Sequence, residues 1–457
     1  MRQGINDTIA AIATAVGSGA IGIVRLSGPE AITILKKIFS PLGKGAWQPH
    51  YLLLGWIKDE QGLPVDQAMA VYQPAPRSYS GEDMAELQCH GGQALLNYVL
   101  ALVLGQGARM ADPGEFTMRA FLNGRMDLTQ AEAVIDLITA PTAAGVTIAA
   151  RQLKGKLSER LAPLSERLLA LIASIEAAID FPDEVEEASS EQIEIEITAV
   201  LRDIEEMLQG FSSSRIYRDG LDLVLLGRSN VGKSSLLNAL LLEDRVIVNR
   251  SPGTTRDLIE VGFDLEGIPL RLTDTAGLRM TENEIEKEGM LRTELAARQA
   301  DLILLVLEAG HELVQEEMSW IKERKENTLL AVVNKSDLTS PNPLLAELAS
   351  KNPGLKAIAV SALTGMGLSE LKTAIKEKAL GDGQDKRNLG AINNLRHYEA
   401  LKSTKDYLAA AKAGLNLPQD LLVIDLRLAW QSLGEICGQT ADEAILNKIF
   451  SGFCLGK

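Results

Sequence analysis

Over the first 120 residues the apolar positions fall in short β-type runs, IGIVRLSG, AMAVYQPAP and MAELQCHGG, interrupted by a helix-length run around ALLNYVLALVLGQG. This mixture predicts a compact α/β module. From Leu128 to about Gly210 the period becomes helical. Leu161, Leu164, Leu168, Leu171, Ile172, Ile175 and Ile179 recur at three- and four-residue steps, the apolar stripe of one long core-packed helix. Pro182 in AAIDFPDE cannot continue that helix, and an acidic linker follows. Between Leu221 and about Leu380 the unbroken runs LDLVLLG, IPLRLTD, ADLILLVLEA, TLLAVVNKSD and LKAIAVSAL alternate with helical stretches. Strands without polar alternation are buried on both faces, which predicts a doubly wound, mostly parallel sheet. Helical periodicity returns from about Asn388, in RHYEALKSTKDYLAAAKAG and DLLVIDLRLAWQSLGEICG. Because helices flank the sheet segment on both sides and each needs a covered face, they read as one helical domain with the α/β domain inserted. The expected bounds are 1–120 for the N-terminal α/β domain, 121–214 and 381–457 for the two helical parts, and 215–380 for the inserted domain.

Composition narrows the partners. With 46% hydrophobic and 23% charged residues the 457-residue chain is ordinary for a globular protein of two or three domains. No apolar run approaches membrane-spanning length and the start lacks a basic region leading into an apolar core, so a cytoplasmic protein without a membrane association is expected. Three scattered cysteines, Cys89, Cys437 and Cys454, and four histidines suggest neither disulfides nor structural zinc. The net charge of -15 makes the chain a poor sole RNA binder, because phosphate neutralisation by Lys and Arg supplies most non-specific affinity. A local basic patch or a basic partner would have to provide it.

The strand LDLVLLG runs straight into Gly227-Arg-Ser-Asn-Val-Gly-Lys-Ser234, and SSLLNALL continues as a helix. Glycines in this strand–loop–helix setting let backbone N–H groups close on phosphate oxygens at a helix N-terminus. Asn230, Val231, Gly232, Lys233, Ser234 and Ser235 line that loop; Lys233 would reach the β- and γ-phosphates and Ser234 would ligate Mg²⁺. Three further segments follow in order: Asp274-Thr-Ala-Gly277, Asn334-Lys335-Ser-Asp337 and Ser361-Ala362-Leu363, each after a strand run. This order resembles the GTPase superfamily. Asp274 would hold Mg²⁺ through water and the Gly277 N–H would sense the γ-phosphate. The acceptor-only carboxylate of Asp337 can take both N1–H and N2–H of guanine, a donor pair adenine lacks, so GTP is expected over ATP. For Asn334 and Lys335 taken alone a solvated turn is the plainer alternative, which the ordered set of motifs sets aside. Between the first two motifs lies Gly253-Thr254-Thr255-Arg256-Asp257; Thr255 is placed to complete the Mg²⁺ shell, with Thr254 the alternative. Where small signalling GTPases carry a water-positioning Gln, this chain has Leu278. A carboxylate of RMTENEIEKEG could substitute, and composition does not choose among Glu282, Glu284, Glu286 and Glu288. No arginine finger is visible, but the Asn230 side-chain oxygen offers a ligand for a monovalent cation where that charge would sit.

The whole chain resembles the tRNA-modification GTPase family MnmE, also called TrmE. The residues that carry this are DTIAAIAT, GIVRLSG, SYSGEDMAELQCHGG, DPGEFTMRAFLNGRMDLTQAEAV, AAIDFPDE, NVGKSSLLNAL, SPGTTRD, DTAGLR and the terminal FCLGK. The resemblance implies an N-terminal folate-binding domain that forms a homodimer, a helical domain, and an inserted potassium-stimulated G domain. It implies that, with an FAD-dependent partner called MnmG or GidA, such a protein adds an aminomethyl or carboxymethylaminomethyl group to C5 of the wobble uridine of tRNA. The carbon would come from a tetrahydrofolate, either the 5-formyl or the 5,10-methylene form. By the same resemblance K⁺ would be held by Asn230, Asn249, Ser251 and Thr254, and Mg²⁺ by Ser234 and Thr255. Glu286 becomes the catalytic carboxylate alongside Lys233 and Thr255. Folate is assigned to Arg25, Glu86, Arg125 and Lys457, with Cys454 nearby; His90 stays structural, having no base or metal partner in view. Two departures stand out: Ser229 where the family often has Pro, and Asp112 before Pro113 where an Arg is expected, which removes a positive charge from the folate or RNA face. The main alternative is a ribosome-assembly GTPase acting as a timer without one-carbon chemistry, but that class should carry a basic RNA-binding module. A membrane-recruited transport GTPase ranks third, for want of a span or lipidation motif.

Overall fold

The computed structural model describes residues 7–43, 47–185, 189–243, 246–247, 261–272, 296–324, 328–381, 392–454 and 456–457. The chain forms two compact units, one of residues 1–135, 152–193 and 413–457, the other of 136–151 and 194–412.

In the first unit, seven strands form one sheet: β1 (Ile9–Ile12), β2 (Ile21–Ser27), β3 (Phe39–Pro41), β4 (Leu53–Lys58), β5 (Pro64–Gln73), β6 (Met84–His90) and β7 (Arg109–Met110), in the order β3-β4-β5-β6-β2-β1-β7. All neighbours are antiparallel except β1 and β7. One face packs on the helices α1 (Ala31–Ile38) and α2 (Gln93–Gly105), so Val24, Leu26, Leu87 and Cys89 are buried with Ile34, Leu35 and Leu96. The two-residue period of a strand then turns Arg25 and Glu86, which sit opposite each other in the β2–β6 register, to the other face.

The long helix expected from the leucine stripe spans Lys156–Asp180 and ends just before Phe181-Pro182. Its buried side is Leu157, Leu161, Leu164, Leu168, Leu171, Ile172, Ile175 and Ala178. Ile179 is a correction: it is 42% exposed, because the turn after Ile175 puts Ala178 rather than Ile179 against the core. The partner helix, Gln419–Cys437, is tied on by Trp430 Nε1 donating to Ser165 Oγ at 3.0 Å and Arg427 Nε donating to Glu176 at 2.7 Å. Near the chain end, Phe450 and Phe453 pack with Leu128, Ala131 and Val134. That packing anchors the C-terminal segment against the first unit's own residues.

The second unit holds the doubly wound sheet: β8 (Leu221–Leu226), β9 (Val246–Ile247), β10 (Val261–Leu265), β11 (Ile268–Leu272), β12 (Leu302–Glu308), β13 (Leu329–Asn334) and β14 (Ala357–Ala359). Their order is β14-β13-β12-β8-β11-β10-β9. The expected parallel strands are parallel, and β9 and β10 add an antiparallel edge that the periodicity did not reveal. Residues 136–151 belong to this unit. Ile148 is buried in the same cluster as Leu221, Ile268 and Leu270, and Thr142 Oγ1 donates to the Gly267 carbonyl, at the β10–β11 turn, at 3.0 Å.

Candidate functional site

The phosphate-binding loop leaves the buried strand β8, turns through Gly227 and Asn230 and enters the helix Lys233–Glu243. Two glycines are required by space. A Cβ on Gly227 would lie 2.3 Å from the Val306 carbonyl oxygen, and one on Gly232, whose φ is 95°, would lie 2.3 Å from Asn334 Nδ2. The Lys233 ammonium donates to the carbonyls of Gly227 (2.7 Å) and Arg228 (2.8 Å), which holds the cation over the loop. Asn230, Ser234 and Ser235 are exposed at the helix start, where free N–H groups and the macrodipole favour an anion. Backbone donors, one ammonium and a hydroxyl at a helix N-terminus can hold a polyphosphate with Mg²⁺.

Asn334 is not in a solvated turn. It is 2% exposed, donates from Nδ2 to the Val231 carbonyl at 2.9 Å and accepts from the Ala362 N–H at 3.1 Å. One amide therefore joins the phosphate loop, the Asn334–Asp337 loop and the Ser361–Ala362 loop. The last is fixed by Ser361, fully buried, whose Oγ accepts from Thr364 N at 3.2 Å, and by Ser336 N donating to Val360 O at 3.1 Å. Asp337 is exposed, its carboxylate available to a base, and Lys335 sits at a φ of 62° with Nζ 2.8 Å from Glu308 Oε1. Asp274, Gly277, Asn249, Ser251, Thr254, Thr255 and Glu286 lie outside the described residues.

In the first unit, Arg25 Nε pairs with Glu86 Oε1 at 2.8 Å and Arg25 Nη1 donates to the Gly456 carbonyl at 3.3 Å. The guanidinium lies over the rings of Tyr79 (5.7 Å) and Phe116 (5.9 Å), and Phe116 N donates to the Lys457 carbonyl at 3.2 Å. Burial, then the nearby Arg25 charge, pulls the Lys457 ammonium below its usual lysine value, while Glu86 pulls the other way. Arg25, Glu86 and Lys457 are thus brought together by the C-terminal segment. Arg125 is held separately, its Nε donating to the Ser78 carbonyl at 3.1 Å. A guanidinium, an ammonium and a carboxylate beside two rings can bind a planar molecule that has N–H donors and an anionic tail. Cys454 is exposed in the same segment.

Two features escaped the sequence reading. His90 has a partner after all: its Nδ1 lies 2.7 Å from Asp66 Oδ1, and its backbone N–H donates to Asp66 Oδ2 at 3.0 Å. The two are 24 positions apart on adjacent strands, which spacing cannot show. Neighbouring Cys89 is no reactive thiol, since burial, reinforced by the Asp66 carboxylate, pushes it up to about 12. More consequential is Arg119, 1% exposed, which binds the Asp7 carboxylate (2.6 Å), Glu115 (2.9 Å) and Glu82 (3.1 Å), while Glu115 also accepts from Arg109 at 2.7 Å. The available signal was Glu115 and Arg119 four apart among the apolar residues of EFTMRAFL. The unexpected Asp112 is largely exposed; its backbone N–H donates to Glu115 at 2.8 Å, so it caps this network through its main chain.

With this geometry in place, comparison with known proteins is decisive. A family model described as the MnmE helical domain matches residues 128–454, and one described as the GTP-binding protein TrmE N-terminus matches residues 8–125. The chain belongs to the MnmE family. It is 44% identical to the tRNA modification GTPase MnmE of Symbiobacterium thermophilum, over 99% of both chains, and 42% identical to that of Geobacter sulfurreducens over 99% of this chain and 100% of the other. Among solved structures it is similar to the G domain of the T. maritima FeoB iron transporter, 28% identical, covering 35% of this chain and 98% of that one with a TM-score of 0.26. As an MnmE-family GTPase the chain binds and hydrolyses guanine nucleotide; the three loops joined by Asn334 carry the candidate nucleotide residues that lie among the described ones. No helix among the described residues is long and apolar enough to cross a membrane.

Proposed function

We propose that this MnmE-family GTPase uses its GTP cycle to drive addition of an aminomethyl or carboxymethylaminomethyl group to C5 of the tRNA wobble uridine. The observation that carries the one-carbon part is the meeting of Arg25, Glu86 and the C-terminal Gly456-Lys457 beside Tyr79 and Phe116. There Glu86 would accept from the pterin edge and Arg25 and Lys457 would face the anionic part of a tetrahydrofolate, with Arg125 contributing from the adjoining loop. In the G domain Lys233 and the loop N–H groups of Asn230 to Ser235 would hold the phosphates, Ser234 and Thr255 Mg²⁺, and Asn334, Lys335, Asp337, Ser361 and Ala362 the guanine. Asn230, Asn249, Ser251 and Thr254 would hold K⁺, and Glu286 would orient water. The protein would work in the cytoplasm as a homodimer with an FAD-dependent MnmG partner, which supplies redox chemistry that these residues do not offer. The domain bounds near 120, 214 and 380 belong to the same proposal.

The test is titration of 5-formyl-tetrahydrofolate into the purified protein and into Arg25→Met. Binding by the native chain that weakens at least about tenfold in the variant, the loss of a charge-assisted pair, supports the folate site. No binding by the native chain would favour the assembly-timer reading. GTP turnover in KCl against NaCl, with and without Asn230→Ala, tests the cation assignment independently.

A further inference from the structure

Lys335 has a backbone conformation that non-glycine residues adopt rarely and that persists only where the surroundings over-determine it. Those surroundings are the end of β12 and the residues after it. Glu308 is paired in register with Asn334, and its carboxylate holds the Lys335 ammonium at 2.8 Å. The next residue, Ala309, donates its N–H to the Asn334 carbonyl at 2.9 Å. Gly310 then passes so close to the far side of the loop that a Cβ on it would lie 2.6 Å from Thr339 Cγ2. Three consecutive residues of one strand end therefore brace the loop that carries Asp337 two residues beyond Lys335. Among the described residues, the phosphate loop reaches this loop through Asn334, and the Ser361–Ala362 side reaches it through Asn334 and through Ser336 N, which donates to the Val360 carbonyl; neither touches the Lys335 ammonium.

We propose that Glu308 is a positioning residue for guanine recognition: its carboxylate fixes Lys335 and so sets the orientation in which the Asn334–Asp337 loop presents Asp337 to the base. His311, whose Nε2 is 3.8 Å from the same Glu308 oxygen, is a second basic group facing it among the described residues. The inference rests on guanine-nucleotide binding and not on the one-carbon chemistry, so failure of the folate proposal leaves it standing.

The experiment is a double-mutant cycle in the full-length protein, with GDP and GTP dissociation constants, kcat at saturating GTP and the melting temperature as readouts. Glu308→Gln keeps the shape and removes the charge. It should weaken GDP and GTP binding about three- to fivefold, the scale of a partly exposed ion pair, with kcat and melting temperature unchanged. Glu308→Asp should recover part of the loss. In a Lys335→Met background Glu308→Gln should have no further effect, because the residue it acts through is gone. Unchanged dissociation constants in Glu308→Gln would overturn the proposal. So would an equal loss in both backgrounds, or a fall in kcat and melting temperature without weaker binding.

Discussion

The nucleotide site and the N-terminal site proposed for this protein are built on opposite plans. At the nucleotide site each recognition element is a short contiguous stretch, Gly227–Ser235, Asn334–Asp337 or Ser361–Ala362, delivered by the end of a parallel strand. Backbone groups would do much of the binding there, and among the described side chains Asn334 joins the loops without any charge. At the N-terminal site nothing is contiguous. Arg25, Glu86 and Lys457 come from β2, β6 and the chain end, and the same unit holds an ionic network centred on the buried Arg119. A phosphate is recognised by a standard loop because its geometry is always the same. The N-terminal cluster joins residues 61 and 431 positions apart, so it stands or falls with tertiary structure.

That contrast can be broken most severely at the nucleotide site. Asp337→Asn replaces the acceptor-only carboxylate proposed to take two guanine donors, each such hydrogen bond being worth about 1.5–3 kcal/mol, so GTP affinity should fall by roughly 10² to 10⁴ with little change in melting temperature. Equilibrium binding of GDP and GTP checks it, and a small loss would mean that the base is held elsewhere. Arg119→Leu should do the reverse, costing on the order of 3 kcal/mol of stability by removing the buried cation shared by Asp7, Glu82 and Glu115, of which Asp7 and Glu115 keep only Arg109 among the described cations, while GTP turnover at low temperature persists. Denaturant unfolding followed alongside turnover separates the two outcomes. Thr142→Val removes the bond to the Gly267 carbonyl and the acceptor for Gly145 N, and should cost about 1–3 kcal/mol. Limited proteolysis should place that loss in the unit carrying the GTPase sheet, which sharpens the assignment of residues 136–151.

Acid gives the smallest and most selective effect. Burial pushes the Glu115 carboxyl up, but hydrogen bonds from Arg109, the Asp112 N–H and Arg119 outweigh it and leave it below its usual 4.5; Asp7 is lowered in the same way by Arg109 and Arg119 against its own burial. A folded-state pKa below the unfolded one means that the unfolded chain binds the proton first. The stabilisation is complete above about pH 4.5 and is lost as pH falls through the lowered folded values. Melting temperature measured from pH 6 to pH 3 should therefore drop earliest in the N-terminal unit, and Arg119→Leu should flatten that drop. A G-domain transition that fell first would contradict it.

Sequence alone was enough for much that is local, though not for the edge strands β9 and β10. Unbroken apolar runs specified strands buried on both faces, the leucine stripe specified the helix Lys156–Asp180, and the phosphate loop needed glycines at particular places because backbone must approach backbone there. The residues Asn334, Lys335 and Asp337 could be singled out because the candidate base-binding loop lies in four consecutive positions. What tertiary structure decided are relations between distant residues. Arg119 looks like a solvated helix charge until Asp7, Glu82 and Glu115 close around it; His90 acquires Asp66 only through strand pairing. Ile179 fits the stripe by counting but loses its place to Ala178 at the last turn. Residues 136–151 carry helical periodicity like their neighbours, yet Ile148 and Thr142 commit them to the GTPase sheet. Local pattern records what each residue prefers, hydrophobic face or turn; which partner satisfies that preference is settled only when the chain has folded and desolvation makes each unpaired buried group costly.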